Sequence, residues 1–250
     1  MSGPRSIVLF ASLLLVLSAA AFGLSRLYTP QRTVDLTPPA AFVAAPVPPQ
    51  ADPGSPVRRT QLVDDGWLRR TSRATGIPAP ALRAYADAQL SRVGGCDVGW
   101  TTLAGIGWIE SQHGTLGGRT IDDAGRSSSP ILGPALDGSG DFAAIRSTAA
   151  SREWHGDATW EHAVGPMQFL RSSWEPWAAD GDRDGVIDPL DLDDAAATAA
   201  RYLCAGGRDL AAGDGWADAV LSYNHSDEYV AAVHSAASSY AERAAGRRAG

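Results

Sequence analysis

Alternation of apolar and polar residues with period two marks a half-buried strand. It is missing from this 250-residue chain over any stretch longer than a few residues. Only Val186-Ile187 looks extended, and it lies in a loop. In its place stand apolar stretches with helical spacing, each closed by glycine or proline. Leu62 to Ala74 reads as a helix stopped by Gly76-Ile77-Pro78. Pro80 suits a first helical turn, and Ala81 to Arg92 follows with Leu82, Tyr85, Ala86 and Leu90 on one face before Gly94-Gly95. Thr101 or Thr102 can cap a third helix carrying Leu103, Ile106, Ile109 and Glu110. Gly105 and Gly107 inside it each cost about 1 kcal/mol relative to alanine, which suggests that another element approaches its backbone closely. Asp191 or Asp193 opens a helix running to Cys204, and Trp216 to Tyr223 and Asp227 to Ala244 are the last two, with Ser226 as N-cap of the final one. The expected fold is mainly α with long loops. The stretch from Gly114 to Asp157 is the longest, polar and punctuated by glycine, and a loop of that size in a compact domain is usually functional.

Not all of the chain can belong to this domain. Residues 7–24 form an uncharged run between Arg5 and Arg26, at the lower limit for a membrane-spanning helix. Ile7 to Leu17 also reads as a signal-peptide core, with Ala19-Ala20-Ala21 as a cleavage site. Residues 1–27 are thus a signal peptide or a single hydrophobic anchor helix, and either one exports the rest to the cell envelope or beyond. Residues 28–60 are rich in proline and alanine and read as a disordered, extended spacer, leaving residues 61–243 as the domain. All basic residues are arginine and the formal charge is −7, which argues against nucleic acid as a partner. Two cysteines, Cys96 and Cys204, in an exported chain are most simply one disulfide, with two separate buried thiols as the other reading. They lack the paired spacing of a zinc site.

Four motifs carry chemistry. Glu110 ends an apolar helical pattern beside Ile106, Trp108 and Ile109. Desolvation there raises a carboxyl pKa toward the range that a general acid needs; the plain alternative is a helix-surface glutamate. Ala163 to Leu170 holds Gln168, whose amide suits sugar hydroxyls and acetamido groups, between Met167 and Phe169 as apolar surface; alternatively it is a turn entering an amphipathic helix. Tyr223-Asn224-His225-Ser226 joins two helices, and Tyr223 and Asn224 could orient a substrate or hold the carboxyl, or simply form a corner. The most specific motif is Asp180 to Asp191. It matches an EF-hand loop, with Asp180, Asp182 and Asp184 at positions 1, 3 and 5, Gly185 at 6, the Val186 carbonyl at 7, Asp188 at 9 and Asp191 at 12. That spacing surrounds one hard cation, calcium, with oxygen; without it the aspartates would repel one another.

In this order the four motifs, with Ile131 to Gly138, resemble the lytic murein transglycosylases of the membrane-bound B type, in a short actinobacterial-like version, over roughly Leu82 to Tyr240. The resemblance implies a lysozyme-like helical fold with Glu110 as the single catalytic acid and base. It also implies that Gln168, Tyr223, Asn224 and Tyr229 line a saccharide groove for peptidoglycan glycan strands, and that the acidic loop binds calcium. The implied reaction forms a 1,6-anhydro end on N-acetylmuramic acid. Two other readings stay open: a lysozyme-type hydrolase drawing a second carboxylate from Asp122, Asp123 or Asp137, and a catalytically silent peptidoglycan-binding protein.

Overall fold

A computed structural model describes residues 45–52, 61–140, 143–210 and 213–246. The hydrophobic segment expected at 1–27 and the spacer residues 28–44 and 53–60 lie outside the described residues. Among the described residues no helix is long and apolar enough to cross a membrane.

The described chain is helical, and strand-like pairing is confined to isolated bridges. The helices are α1 (Asp65–Thr75), α2 (Ala79–Ser91), α3 (Trp100–Ser111), the short α4 (Arg152–His155) and α5 (Arg171–Trp174), α6 (Leu192–Leu203), α7 (Gly213–Tyr223) and α8 (Asp227–Ala244). The mainly α expectation holds, and the expected caps Asp191 of α6 and Ser226 of α8 are present. Helix α1 begins three residues after the expected Leu62, because Asp64 caps it by accepting from the Trp67 amide. One cap differs. Thr101 and Thr102 are buried inside α3, whose N-cap is Gly99, two or three residues earlier, where the Gln89 side chain accepts from the Trp100 amide. The two four-residue helices were not anticipated; each is too short to show a period.

Helix α3 is the axis of the molecule. Every residue from Trp100 to Gly107 is buried, as expected of a helix apolar on all sides. It packs chiefly on α8 and also on α2, while α2 lies against α6 and α1 against α8. The two glycines of α3 show why. A β-carbon at Gly105 would stand 2.9 Å from the Val233 carbonyl oxygen and 3.3 Å from Ala237 Cβ of α8. One at Gly107 would collide with the Tyr85 phenol of α2. The close approach expected at these positions is therefore present, by a neighbouring helix at the first and by a side chain at the second.

Two loop regions are more ordered than composition suggests. Residues 45–52, assigned to a disordered spacer, are seated on the domain. The Ala51 amide donates to the Leu62 carbonyl (2.7 Å), the Asp64 amide to the Pro49 carbonyl (2.9 Å), and Ala45 is buried. Proline-rich composition leaves these residues free carbonyls, and the segment that leads into α1 uses one of them, in an isolated bridge between Gln50 and Val63. The long loop after α3 is stitched by bridges at Ile121–Ser127, Leu132–Val164, Asp137–Ala144 and Arg146–Trp160. The Cys96–Cys204 disulfide is present and ties the α2–α3 loop to the end of α6.

Candidate active site

Burial along α3 stops abruptly at its last turn. Trp108 and Ile109 are exposed at 43% and 38%, and Glu110 beside them is half-buried. The helix then ends through two left-handed non-glycine residues, Gln112 (φ 52) and His113 (φ 61), with the His113 amide reaching back to the Gly107 carbonyl (2.8 Å). Ser111 anchors this end: its hydroxyl donates to the Pro166 carbonyl (2.6 Å) and accepts from the Gly114 amide (2.8 Å). The acid is therefore fixed where a buried helix surfaces.

Tyr229, from the first turn of α8, donates its hydroxyl to Glu110 Oε1 at 2.5 Å. Burial pushes the Glu110 carboxyl up to about 7, and the bond from Tyr229 only partly opposes this. In turn the Glu110 charge helps push the phenols of Tyr229 and Tyr223 up, after burial as the larger cause. Tyr229 thus binds the carboxyl itself, a more specific place than the groove-lining one implied for it. Removing its hydroxyl in Tyr229→Phe takes away the hydrogen bond that favours the anion. The alkaline limb of the activity profile should then move up by about one pH unit. A steady-state pH profile of the variant checks this.

Gln168 sits in a tight turn closed by the Val164 and Phe169 pairing, itself left-handed (φ 51), with its Nε2 donating to the Gly165 carbonyl (2.8 Å). Met167 and Phe169 do not offer the apolar surface expected of them. Met167 is fully buried beneath Gly107, and Phe169 is buried edge-on between Trp174 (5.3 Å) and Tyr223 (5.5 Å). The turn folds both inward, so they brace Gln168 from behind. Tyr223 joins this wall by donating its hydroxyl to the Met167 carbonyl (2.8 Å). Asn224 is exposed at the α7–α8 corner.

Sequence reasoning missed His113. Buried at the end of α3, it lies between the hydroxyls of Tyr85 (Nδ1, 3.2 Å) and Tyr240 (Nε2, 2.8 Å), and burial pushes its imidazole down to about 3. A neutral ring here links α2, α3 and α8 behind the acid. A lone histidine next to a glycine carries no pattern from which this could be read.

The acidic loop departs from its expected ligand set. Carboxylate oxygens of Asp180, Asp182 and Asp194 lie within 4.8 Å of one another. Asp194, in the first turn of α6, was not anticipated, since it lies beyond the twelve-residue motif. Asp184 instead accepts from the Val186 amide (2.7 Å). Asp188 and Asp191 face Arg126, at 2.7 and 3.6 Å, and Asp191 also accepts from the Asp193 amide as N-cap of α6. Positions 9 and 12 of the motif are thus engaged by a guanidinium and a helix terminus. Burial, followed by the charge of Asp193, raises Asp191 to about 7. Asp194 is raised to about 7 as well, chiefly by burial.

Residues 144–217 match the family model for the transglycosylase SLT domain. The match takes in Gln168 and the acidic loop and stops short of Glu110 and Tyr223. No curated protein matches the chain. Among solved structures, the Escherichia coli lytic transglycosylase Slt35 in complex with calcium has 16% identity and a TM-score of 0.43, over 70% of this chain and 78% of that one. The same enzyme in complex with bulgecin A has 16% identity and a TM-score of 0.42, over 74% and 80%. The matched segment, under a third of the chain, is thus similar to a transglycosylase SLT domain.

Proposed function

We propose that the chain cleaves the β-1,4 bond between N-acetylmuramic acid and N-acetylglucosamine in peptidoglycan without water, as a B-type lytic transglycosylase. The observation that carries this is the single acid. Burial holds Glu110 near 7 against the opposing bond from Tyr229, and no carboxylate is among the causes. It protonates the glycosidic oxygen, and the acetamido oxygen of the substrate stabilises C1 as in substrate-assisted glycosidases. Glu110, now the carboxylate, takes the proton of the C6 hydroxyl as that oxygen attacks C1. The Gln168 turn and the Tyr223–Asn224 corner hold the sugar.

Two of the carboxylates that a hydrolase could recruit serve turns instead. Asp122 accepts from the Ala124 and Arg126 amides (both 2.9 Å), and Asp137 accepts from the Ser139 amide (2.8 Å). Digestion of purified peptidoglycan followed by mass spectrometry tests the reading. Fragments one water lighter than hydrolytic products, with no reducing muramic acid ends, are expected. Reducing ends alone would make the enzyme a hydrolase, and no released fragments would leave only a glycan-binding protein.

Calcium fits the loop as a structural ion held by Asp180, Asp182 and Asp194, because three convergent carboxylates in a partly buried setting lack a compensating charge there. Calcium in hundredfold excess over its Kd should stabilise the fold by about 2.7 kcal/mol. Thermal melts with calcium and with chelator measure this, and Asp182→Asn should remove the difference. A place outside the cytoplasm, anchored or secreted on the cell-wall side, is supported by the Cys96–Cys204 disulfide.

A further inference from the structure

Behind the Gln168 turn, residues 155–162 gather two histidines and two acids. His155 and His162 stand with ring centroids 5.0 Å apart. Their hydrogen bonds differ in kind. His155 Nδ1 accepts from the Asp157 amide (3.2 Å) and Nε2 faces Glu161 Oε1 (3.3 Å), so one ring proton satisfies both nitrogens. His162 Nδ1 lies 2.8 Å from the Gly133 carbonyl oxygen, and its Nε2 lies 3.1 Å from Asp157 Oδ2. A carbonyl and a carboxylate only accept, so His162 needs a proton on each nitrogen to make both bonds. Only the imidazolium has two.

What His162 grips belongs to the proposed groove. Gly133 also donates its amide to the Ala163 carbonyl (2.8 Å), so both of its backbone polar groups are tied to the 162–163 segment. A β-carbon on Gly133 would stand 2.7 Å from Gln168 Oε1 and 3.3 Å from Ala163 Cβ. The backbone of Gly133 is thus the surface against which the Gln168 amide rests. Leu132, next to it, is exposed.

We infer that His162, as an imidazolium, is a positioning residue that clamps Gly133 against Gln168, so that the groove holds glycan more tightly when His162 is charged. This rests on the glycan-cleaving reading. The groups facing His162 are Asp157, Glu161 and His155. Asp157 is held at about 2, first by the Thr159 amide and then by His162, and stays ionised at any working pH. The His162 imidazole is raised above the ordinary histidine value: burial opposes the charge, but Gly133 and Asp157 outweigh it. A raised histidine keeps its contribution below the ordinary value and loses it as pH climbs through the raised one. The clamp therefore opens on the alkaline side.

Glu110→Gln provides the background for the test, because it cannot cleave and removes Glu110 from the titration. Calorimetry with a tetrasaccharide of alternating N-acetylglucosamine and N-acetylmuramic acid should show binding weakened about two- to tenfold between pH 6 and pH 8, the range of one net hydrogen bond. In Glu110→Gln/His162→Gln the affinity should be low and equal at the two pH values. Nitrogen-15 shifts of the His162 ring in the wild-type protein should show both nitrogens protonated at about pH 6.5. A pH dependence that survives His162→Gln, or a ring already neutral at that pH, overturns the clamp. If Glu110→Gln binds no tetrasaccharide at either pH, the glycan reading falls and the positioning role falls with it, while the ring shifts still report the charge of His162.

Discussion

Replacing Glu110 with Gln should lower the proposed glycan cleavage by about 10²–10⁴-fold, the usual contribution of a positioned proton donor and acceptor. In the proposed mechanism one group works twice, so both half-reactions would be lost together. The fold does not suffer. Burial raises the carboxyl from 4.5 to about 7, so between these values the folded state binds more protons than the unfolded chain. Stability therefore falls as pH rises through that window, and above it the charged carboxyl costs up to about 3 kcal/mol. The amide carries no such charge. Glu110→Gln should thus be less active at every pH and more stable than the wild type at pH 8, with the gap closing toward pH 4. Muropeptide release and denaturant titrations at the two pH values measure the two halves. An inactive variant that is also destabilised at pH 8 would mean that Glu110 supports the fold rather than opposing it.

The second large effect lies at the opposite end of α3. The Cys96–Cys204 bridge closes a loop of 108 residues in sequence, holding the segment that leads into α3 against the end of α6. Cross-links over loops of this length restrict the unfolded chain most, and removing a native one costs about 2–5 kcal/mol. The double variant Cys96→Ala/Cys204→Ala should lose stability in that range by denaturant titration. It should remain active at low temperature, because the Arg83–Asp193 ion pair (2.7 Å) still joins α2 to α6 and Glu110 lies at the far end of its helix. A loss below about 1 kcal/mol would show that the unfolded chain gains little freedom when the bridge is removed.

Much of this architecture is legible in the sequence because it rests on local signals. Helix periods, glycine and proline stops, and Asp or Ser caps each act within a few residues, and they placed six helices to within a few positions. The place of Glu110 at a helix end was legible for the same reason: a carboxyl at the end of an all-apolar helix is a local contradiction. What stayed hidden depends on distant partners. Nothing near Pro49 announces that Asp64 will donate to its carbonyl. Nothing near Asp191 announces that Arg126 will face it, which is why Asp194 rather than Asp191 joins Asp180 and Asp182. Met167 was read by its neighbours in sequence, but the Gly165 turn decides which way it points. His113 owes its state to Tyr85 and Tyr240, 28 and 127 residues away, and His162 owes its state in part to Gly133, 29 residues away.

The central claim is that Glu110 carries a proton near neutral pH because the fold withdraws its carboxyl from water. The chain has only six glutamates, so carbon-13 labelling of their carboxyl carbons, assigned by comparison with Glu110→Gln, gives a tractable NMR titration. The account predicts one glutamate, absent from the variant, with a midpoint at about 7. A Glu110 carboxyl that titrates at the ordinary value of about 4.3 would contradict it.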